Sequence, residues 1–270
     1  MLTSADKRAA FRKLHESGCF IIPNPHDAGS ARALQHLGFK ALASTSAGFA
    51  WTIARADNKV TVDDVCNHLS AICAAVDIPV NADFEDGFAH EPDKVGANVA
   101  RAVKTGVAGL SIEDFTGDAA KPLFDRALAI DRIKAARKAI DADQSGVMLT
   151  GRCEAFLRGQ KDLNLVIDRL TAYAEAGADC LYSPGISTKE EISAVVKAVH
   201  PKPVNLLVGA AGPSLADAGA LGVRRISVGG TLARVAWAGF MKAAAEMAEK
   251  GTFTELANGY PGGELNKMFS

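Results

Sequence analysis

Short apolar runs alternate with longer amphipathic segments along most of the chain. Eight of these runs are typical of parallel strands covered on both faces, at 20–23, 41–44, 80–83, 108–112, 147–150, 179–182, 204–208 and 225–228. After each run a loop leads into a helical pattern, at roughly 29–37, 62–76, 92–104, 123–141, 164–176, 189–199, 214–221 and 232–250. One further amphipathic helix is predicted before the first strand, at 4–17, and Gly18 ends it.

Eight strand–helix units in 270 residues predict an α/β protein, a (β/α)8 TIM barrel that forms one domain over 1–270, with an N-terminal helix within 1–18. Several helical patterns end in glycine just before the next strand, as in LGFKALA and TGVAGLSI, which is typical of such connections. The alternative is a doubly wound open sheet. The barrel is preferred because the first strand is followed by PNPHDAGS and not by the GxGxxG of dinucleotide-binding sheets.

The last segment, at about 232–270, is predicted to form a C-terminal helical arm. After Lys250 the chain is interrupted by GYPGG, yet it keeps apolar residues such as Phe253, Leu256 and Phe269. A segment this short has no core of its own. We therefore expect its apolar side chains to dock elsewhere, and another subunit is one such surface.

Composition narrows the class of partner. The chain is 48% hydrophobic and carries a formal net charge of −1 without a long basic run, so neither nucleic acid nor an anionic membrane is expected as a partner. The charged N-terminus has no apolar signal region, and no run of 18 apolar residues occurs. The five scattered cysteines favour reduced thiols in a cytoplasmic protein, and Cys153 alone lies among candidate site residues.

One acidic stretch carries the strongest indication of chemistry. The sequence PVNADFEDGF at 79–88 ends a predicted strand and places Asn81, Asp83, Glu85 and Asp86 within six positions. Carboxylates at a strand end repel each other and lose solvation, and Mg²⁺ would remove both costs. The alternative interpretation is a solvated acidic turn.

The carboxyl ends of all strands in a barrel meet at one rim, where function is usually located. Polar residues or glycines follow every predicted strand, namely Asn24, His26, Asp27, Ser44, Thr45, Ser46, Gly48, Asp57, Asp83, Glu85, Asp86, Glu113, Asp114, Arg152, Glu154, Tyr182, Ser183, Asn205, Gly229, Gly230 and Thr231. Their coincidence on many strands predicts a polar site at this rim.

Several of these residues have two interpretations. Arg152 either forms a structural ion pair with Glu154 or receives a substrate carboxylate in two-point fashion. The turn from Ser44 to Ala47 offers hydroxyls and backbone N–H groups that suit a carboxylate or an enolate oxygen. Asp27 and Thr231 are expected to cap helices, and the segment 229–231 forms either an anion cradle or an ordinary tight turn.

Five motifs together resemble the isocitrate lyase/phosphoenolpyruvate mutase superfamily. They are NPHDAGSARALQHLGFKALASTSAGFAW, PVNADFEDGF, GLSIED, TGRCEAFLRG and ISVGGTLAR, and they span about 23–234. The resemblance implies a (β/α)8 barrel whose C-terminal helical arm is exchanged between subunits of a homotetramer. It also implies Mg²⁺ as cofactor and a 2-oxo acid or its enolate as ligand.

Position by position, the resemblance assigns roles to the residues that match the family motifs. Asp83 is implied as the direct metal ligand, with Glu85 and Glu113 also in the metal site and Asp57 supporting the metal through water. Arg152 is implied as the substrate-binding arginine, and it is grouped with Glu113 and Asp57 as catalytic. The substrate is expected to contact Ser44, Thr45, Ser46, Ala47, Arg152 and Asn205.

Three departures from the family pattern shape the functional hypothesis. The loop FTGDAAK at 115–121 lacks the cysteine motif of the lyases, Ala43 stands at the mutase's aromatic position, and Asn81 replaces a common aspartate. These departures favour the phosphonomutase-like branch. The leading hypothesis is a Mg²⁺-dependent carbon–carbon lyase acting on a small 2-oxo carboxylate through an enolate, as in oxaloacetate decarboxylation. The alternatives are an isocitrate- or methylisocitrate-type retro-aldol lyase, a phosphoenolpyruvate mutase-like enzyme of P–C bonds, and a non-catalytic carboxylate-binding barrel.

Overall fold

A computed structural model describes residues 2–270 and contains one sheet of eight parallel strands. The strands are β1 Phe20–Ile21, β2 Leu42–Ala43, β3 Val80–Asp83, β4 Gly109–Glu113, β5 Met148–Arg152, β6 Cys180–Tyr182, β7 Val204–Leu207 and β8 Arg225–Ser227. Their order, β1-β8-β7-β6-β5-β4-β3-β2, follows the chain once round. The Ala43 N–H donates to the carbonyl of Pro23 at 3.0 Å, which brings β2 against the end of β1. The sheet therefore curls into a TIM-like barrel, and the doubly wound alternative is wrong.

Helices follow the strands on the outside of the sheet. They are α1 Ser4–Leu14, α2 Ala28–His36, α3 Ser46–Thr52, α4 Val62–Ala75, α5 Pro92–Val103, α6 Arg126–Asp143, α7 Leu163–Glu175, α8 Lys189–Val199, α9 Leu215–Ala220, α10 Thr231–Lys250 and α11 Gly262–Phe269, with a 3₁₀ turn at Thr254–Asn258. None of the helices within 2–270 is both long and apolar enough to cross a bilayer.

The core lies in two layers. Outward-facing strand residues such as Leu42, Val80, Leu110 and Leu149 are fully buried beneath the helices. The second layer lies at the amino end of the barrel. There Phe11 of α1, which is 0% exposed, packs against a separate cluster of buried apolar side chains inside the barrel. Burial of one large apolar side chain contributes about 2–3 kcal/mol. The N-terminal helix thus closes the barrel at the end opposite to the predicted site.

Gly109 is required where α1 meets the barrel interior. A Cβ at this position would lie 2.6 Å from Asn81 Oδ1 and 2.7 Å from the Phe11 ring. We expect Gly109→Ala to lower the free energy of unfolding by about 1–3 kcal/mol, because overpacking forces neighbours out of their places. Urea denaturation measures this, with Gly29→Ala as the control, since its nearest atom would be Asp27 Oδ1 at 3.6 Å. Equal stability of the two variants would contradict the packing argument.

The structure corrects three local predictions. The seven-residue helix α3 was not predicted, because its sequence SAGFAWT contains glycine and a terminal β-branched residue. Thr45 caps this helix, since its hydroxyl accepts from the Gly48 N–H at 3.3 Å. Thr231 was expected to cap the last helix but is its first residue, and Gly230 holds the cap position. Helix α6 begins at Arg126, since Leu123 bridges to Phe115 and cannot be helical. Asp27 caps α2 as predicted.

The C-terminal arm has an exposed apolar face. Ala233 is the one residue of α10 that is buried. Val235, Trp237 and Phe240 are exposed, and the rings of Trp237 and Phe240 meet edge to face at 5.6 Å. Large apolar side chains that are exposed side by side are typical of an interaction surface. Exchange of this arm between subunits stays a prediction.

Candidate active site

Polar side chains at the carboxyl ends of the strands surround one small cavity. Its volume is about 190 Å³, which suits a small organic acid. Its walls combine acidic, basic, hydroxyl and amide groups, contributed by Asn24, Ala43, Ser44, Thr45, Ser46, Ala47, Asp57, Asn81, Asp83, Ser111, Arg152, Leu157, Tyr182, Asn205, Leu207, Arg225, Ser227, Gly229 and Gly230. Most of the strand ends singled out in the sequence contribute to this one cavity. Glu85 and Glu113 are buried without lining it, and Asp86, Asp114 and Glu154 also lie outside its lining.

Asp83 is held rigidly at the end of β3. Its Oδ2 accepts from both the N–H and the hydroxyl of Ser46, at 3.0 and 2.9 Å. Its own N–H donates to the Ser44 hydroxyl at 2.8 Å. The turn after β2 therefore fixes one carboxylate oxygen, and Oδ1 faces Arg152 Nη1 at 3.2 Å.

Arg152, at the end of β5, is surrounded by carboxylates. Its Nη1 also lies 3.1 Å from Glu113 Oε2, and its Nε donates to Glu154 Oε1 at 2.6 Å. The guanidinium carbon lies 5.2 Å from the centre of the Tyr182 ring. The structural ion pair with Glu154 therefore exists, and it leaves Nη2 as the nitrogen without a hydrogen-bond partner among residues 2–270. The guanidinium is thus oriented rigidly on the cavity wall with one nitrogen to offer.

Two buried glutamates lie beside this pair. Burial first, and then the charges of Asp83 and Asp57, raise the pKa of Glu85 to about 8. Burial also raises the pKa of Glu113 well above its usual value, partly offset by Arg152. Glu85 has a positive φ of 45°, a conformation that costs a non-glycine residue roughly 1–2 kcal/mol. Such strain at an acidic turn is typical of functional sites.

Asp57 lies at the exposed mouth of the cavity. Partial desolvation there, and then the charge of Asp83, raise the pKa of Asp57. Asp57 comes from the loop between α3 and α4 and not from a strand end. The loop nevertheless brings it to the same cavity as Asp83.

The contacts of these acidic residues decide which kind of metal ion they could hold. Within 2–270, no group of three or more Asp, Glu, His or Cys side chains is arranged to hold one ion together. Mg²⁺, however, usually keeps several waters and takes only one or two carboxylates from the protein. Burial, and then the charge of Asp83, raise the pKa of Asp57 and Glu85, and Glu85 Oε1 is buried without a hydrogen-bond partner. A divalent cation beside Asp83 would remove both costs, so the donor set fits Mg²⁺.

Comparison with known proteins assigns the family. The family model of phosphoenolpyruvate phosphomutase matches residues 11–248, which include the whole barrel and nearly all of α10. The chain belongs to the phosphoenolpyruvate phosphomutase family. The superfamily resemblance predicted from the five sequence motifs is thereby confirmed.

Three relatives within or near this family illustrate the similarity. The crystal structure of a candidate lyase/mutase from Burkholderia cenocepacia J2315 is 46% identical, covers 98% of this chain and 97% of that chain, and gives a TM-score of 0.95. An uncharacterized protein of Mycobacterium tuberculosis (strain ATCC 25618 / H37Rv) is 33% identical over 222 residues, which are 82% of this chain and 81% of the relative. An oxaloacetate decarboxylase of Rhodopseudomonas palustris (strain BisB5) is 28% identical over 237 residues, covering 83% of this chain and 77% of the relative.

This family member has cavity residues that its sequence did not single out, and one expected residue is already hydrogen-bonded within the protein. Asn205 lines the cavity, but both ends of its amide are engaged, with the Ser227 hydroxyl and Arg225 Nε, each at 2.9 Å. Ser111, Ser227 and Arg225 line the cavity without having been singled out. Two-residue alternation along β4 and β8 was the signal that could have found them, because it points these side chains inward.

The glycine segment after β8 forms a tight turn held by Asn24. The Oδ1 of Asn24 accepts from the N–H groups of Val228 and Gly229 at 2.9 and 3.0 Å, and its Nδ2 donates to the Ser44 carbonyl at 2.9 Å. The Gly229 N–H is therefore not free for an anion. Of the two interpretations of 229–231, the structure favours the turn.

Cys153 is fully buried, and burial raises the pKa of its thiol well above the usual value, so a reactive nucleophile is not expected there. The residue after Cys153, Glu154, is fixed by a backbone hydrogen bond: its N–H donates to Asp114 Oδ1 at 2.8 Å. Tyr173 and Arg169 donate to the other oxygen of Asp114, at 2.6 and 3.0 Å. Asp114 therefore supports the ion pair of Arg152 and does not reach the cavity.

Glu85 makes the stability of the metal-free protein depend on pH. Because its pKa rises from the usual 4.5 to about 8 on folding, the folded protein keeps a proton that the unfolded chain has lost between these values. The free energy of unfolding should therefore fall as pH rises from about 5 to 8, with a contribution of up to ~1.4 kcal/mol per pH unit from this group. Urea denaturation in chelator should show a shallower slope for Glu85→Gln.

The exposed Glu16 supplies the control for this experiment. Glu16→Gln should leave the slope as in the wild type. If Glu85→Gln shows the wild-type slope as well, Glu85 does not carry the extra proton.

Proposed function

We propose that this protein is a Mg²⁺-dependent carbon–carbon lyase that acts on a small 2-oxo carboxylate through an enolate, as in decarboxylation of an oxaloacetate-type acid. The observation that carries the proposal is the contact of Asp83 Oδ1 with Arg152 Nη1 at 3.2 Å on the wall of a cavity of about 190 Å³. Membership of the phosphomutase family and the similarity to an oxaloacetate decarboxylase support it.

Asp83 would hold the metal, with Asp57, Glu85 and Glu113 around it. When bound, Mg²⁺ supplies positive charge that stabilises the negative charge developing on the keto oxygen. The chain itself contributes orientation. The free Nη2 of Arg152 can receive a carboxylate oxygen, and residues 44–47 line the same cavity.

Decarboxylation needs no strong base at the bond that breaks, which agrees with a loop at 115–121 that carries no cysteine. Cleavage leaves the electron pair on the enolate, and a proton must then reach its carbon. Asp57 lines the cavity and also contacts solvent, so we assign to it the exchange of that proton. Tyr182 also lines the cavity, but burial raises its pKa to about 12, which makes it a poor proton donor.

A product assay tests this proposal against its alternatives. Purified protein is given oxaloacetate, phosphonopyruvate or methylisocitrate, with magnesium or with chelator. The expected result is magnesium-dependent release of CO₂ and pyruvate from oxaloacetate, above the rate without enzyme. Cleavage of methylisocitrate to pyruvate and a second acid would instead identify a retro-aldol lyase. Stabilisation by 2-oxo acids without any turnover would identify a non-catalytic binding barrel.

We also propose that α10 docks on a second copy of the chain and that the protein is a cytoplasmic homotetramer. The exposed Val235, Trp237 and Phe240 supply an apolar surface for that contact. Light scattering coupled to gel filtration should give four times the 28.2 kDa of one chain. Phe240→Glu should shift the population towards smaller species, whereas a wild-type protein that elutes as a monomer would contradict the proposal.

A further inference from the structure

Arg225 is a buried cation in the wall of the cavity, and no acidic residue neutralises it. It is 2% exposed and lies at the start of β8. Within residues 2–270 no carboxylate oxygen lies within 4.0 Å of its guanidinium nitrogens. Taking an arginine out of water without a counter-ion is costly. An anion bound in the cavity would offset that cost.

The hydrogen-bond partners of Arg225 are all neutral. Its Nε donates to Asn205 Oδ1 at 2.9 Å and its Nη2 to the Thr150 hydroxyl at 2.9 Å. Its Nη1 makes two long contacts of 3.4 Å, to Asn81 Oδ1 and to His15 Nε2. These partners fix the guanidinium, but they do not cancel its charge. Because Nη2 carries two N–H groups and uses one, one donor is left over.

His15 belongs to this neutral set. Its Nδ1 lies 2.8 Å from the Phe11 carbonyl, so Nδ1 carries the proton and Nε2 accepts from Arg225. Burial, and then the charge of Arg225, lower the pKa of His15 to about 3. The positive charge at this end of the cavity therefore belongs to Arg225 alone.

The other arginine of the cavity is in the opposite situation. Arg152 contacts three carboxylates, those of Asp83, Glu113 and Glu154, at 3.2, 3.1 and 2.6 Å. Its charge is more than balanced before any ligand binds. An incoming anion therefore meets an uncompensated positive charge at Arg225 and not at Arg152.

The register places Arg225 below the Asp83–Arg152 pair. Its partners Asn81 and Thr150 each precede that pair by two residues, on β3 and β5 respectively. Two residues of strand correspond to about 6.6 Å. The two charged levels are thus separated by roughly the length of a short dicarboxylate.

We propose that Arg225 is a specificity-determining residue, whose uncompensated charge one layer below Asp83 and Arg152 selects ligands with two anionic groups over ligands with one. The inference rests on the proposed function in that it takes this cavity as the substrate site. One carboxylate would lie at the level of Arg152 and the 44–47 turn, and the second would be drawn towards Arg225.

The test is a binding experiment on the wild-type protein and does not depend on turnover. Malate and its 4-amide have nearly the same size and differ by one negative charge. Isothermal titration in magnesium buffer should show malate binding about tenfold more tightly or better, as expected for hydrogen bonds to a charged group. Equal affinity for the two compounds would overturn the inference.

Variants assign the preference to one side chain. Arg225→Gln and Arg225→Met should bring the two affinities to within about threefold of each other, and Arg225→Lys should retain part of the preference. Arg224→Gln is the matched control, because it removes the same charge from the neighbouring residue, which does not line the cavity. A neutral variant that melts near the wild-type temperature and keeps the full preference would overturn the inference. If neither neutral variant folds, the wild-type ratio decides alone.

The outcome is separable from that of the product assay. If the protein distinguishes malate from its amide but converts no 2-oxo acid, the result supports this inference and contradicts the proposed function. If the protein decarboxylates oxaloacetate but binds malate and its amide equally, the result supports the proposed function and contradicts this inference.

Discussion

Asp83→Asn is expected to lower kcat for oxaloacetate decarboxylation by at least about 10³-fold in magnesium buffer. A metal that stabilises developing charge contributes several kcal/mol to the transition state, and each 1.36 kcal/mol corresponds to about a factor of ten in rate. Asparagine keeps the shape of the side chain and an oxygen for the two bonds from Ser46. The loss should therefore come from the missing charge and not from unfolding, which circular dichroism and the melting temperature can check.

Asp86→Asn is the matched control for this substitution. Asp86 belongs to the same acidic turn, but it lies 3.7 Å from Arg132 and does not line the cavity. We expect its activity to stay within about threefold of the wild type, because the Asp86 side chain pairs with the buried Arg132 outside the cavity, although loss of this pair should lower stability. If folded Asp83→Asn remains as active as the wild type with chelator present, the assignment of Asp83 is wrong.

Arg152→Lys is expected to lower kcat/KM by about 10²- to 10³-fold. A lysine ammonium is a single point charge, and it cannot keep Nε on Glu154 and Nη1 on Asp83 and Glu113 while offering a further nitrogen to the substrate. Arg152→Met should also be destabilised by roughly 3–5 kcal/mol, because it leaves buried carboxylates without their partner. Steady-state kinetics and urea denaturation separate the two effects.

Arg158→Lys controls for disturbance of Glu154. Arg158 lies 3.1 Å from the other oxygen of Glu154 and stacks on Phe115 at 3.4 Å, outside the cavity. Its substitution should leave kcat/KM within about threefold of the wild type. Equal losses in Arg158→Lys and Arg152→Lys would mean that Arg152 acts only by packing, without receiving the substrate.

Much of the fold was predictable because parallel strands covered on both faces have an unmistakable apolar pattern. The eight predicted runs overlap all eight observed strands, and their order round the barrel follows from the α/β alternation. Helix α3 was missed because seven residues are too few to show a helical period. The start of α6 was misplaced because a contact between Phe115 and Leu123 is not visible in local sequence.

The candidate site was predictable in its location and less so in its contacts. Asp83, Asp57 and Arg152 were found because strand ends and family motifs mark them, and all three line the cavity. That Arg152 contacts Asp83 and Glu113 together depends on the register of three strands, in which Glu113 pairs with Arg152 and Asp83 pairs with Ser111. No local pattern encodes that register.

Arg225 shows the same limit more clearly. Its surroundings come from β3, β5, β7 and the residue that follows α1, through Asn81, Thr150, Asn205 and His15. In the sequence it stands in RRIS, where an exposed strand start and a buried cation look alike. Only the closed barrel reveals that it has no counter-ion.

The most direct test of this account is a crystal structure of the protein with magnesium and oxalate. The account predicts oxalate in the cavity, with one carboxylate in contact with Arg152 and the 44–47 turn, and a metal beside Asp83. A structure in which oxalate binds elsewhere, while Asp83 and Arg152 stay closed on each other without metal or anion between them, would contradict it.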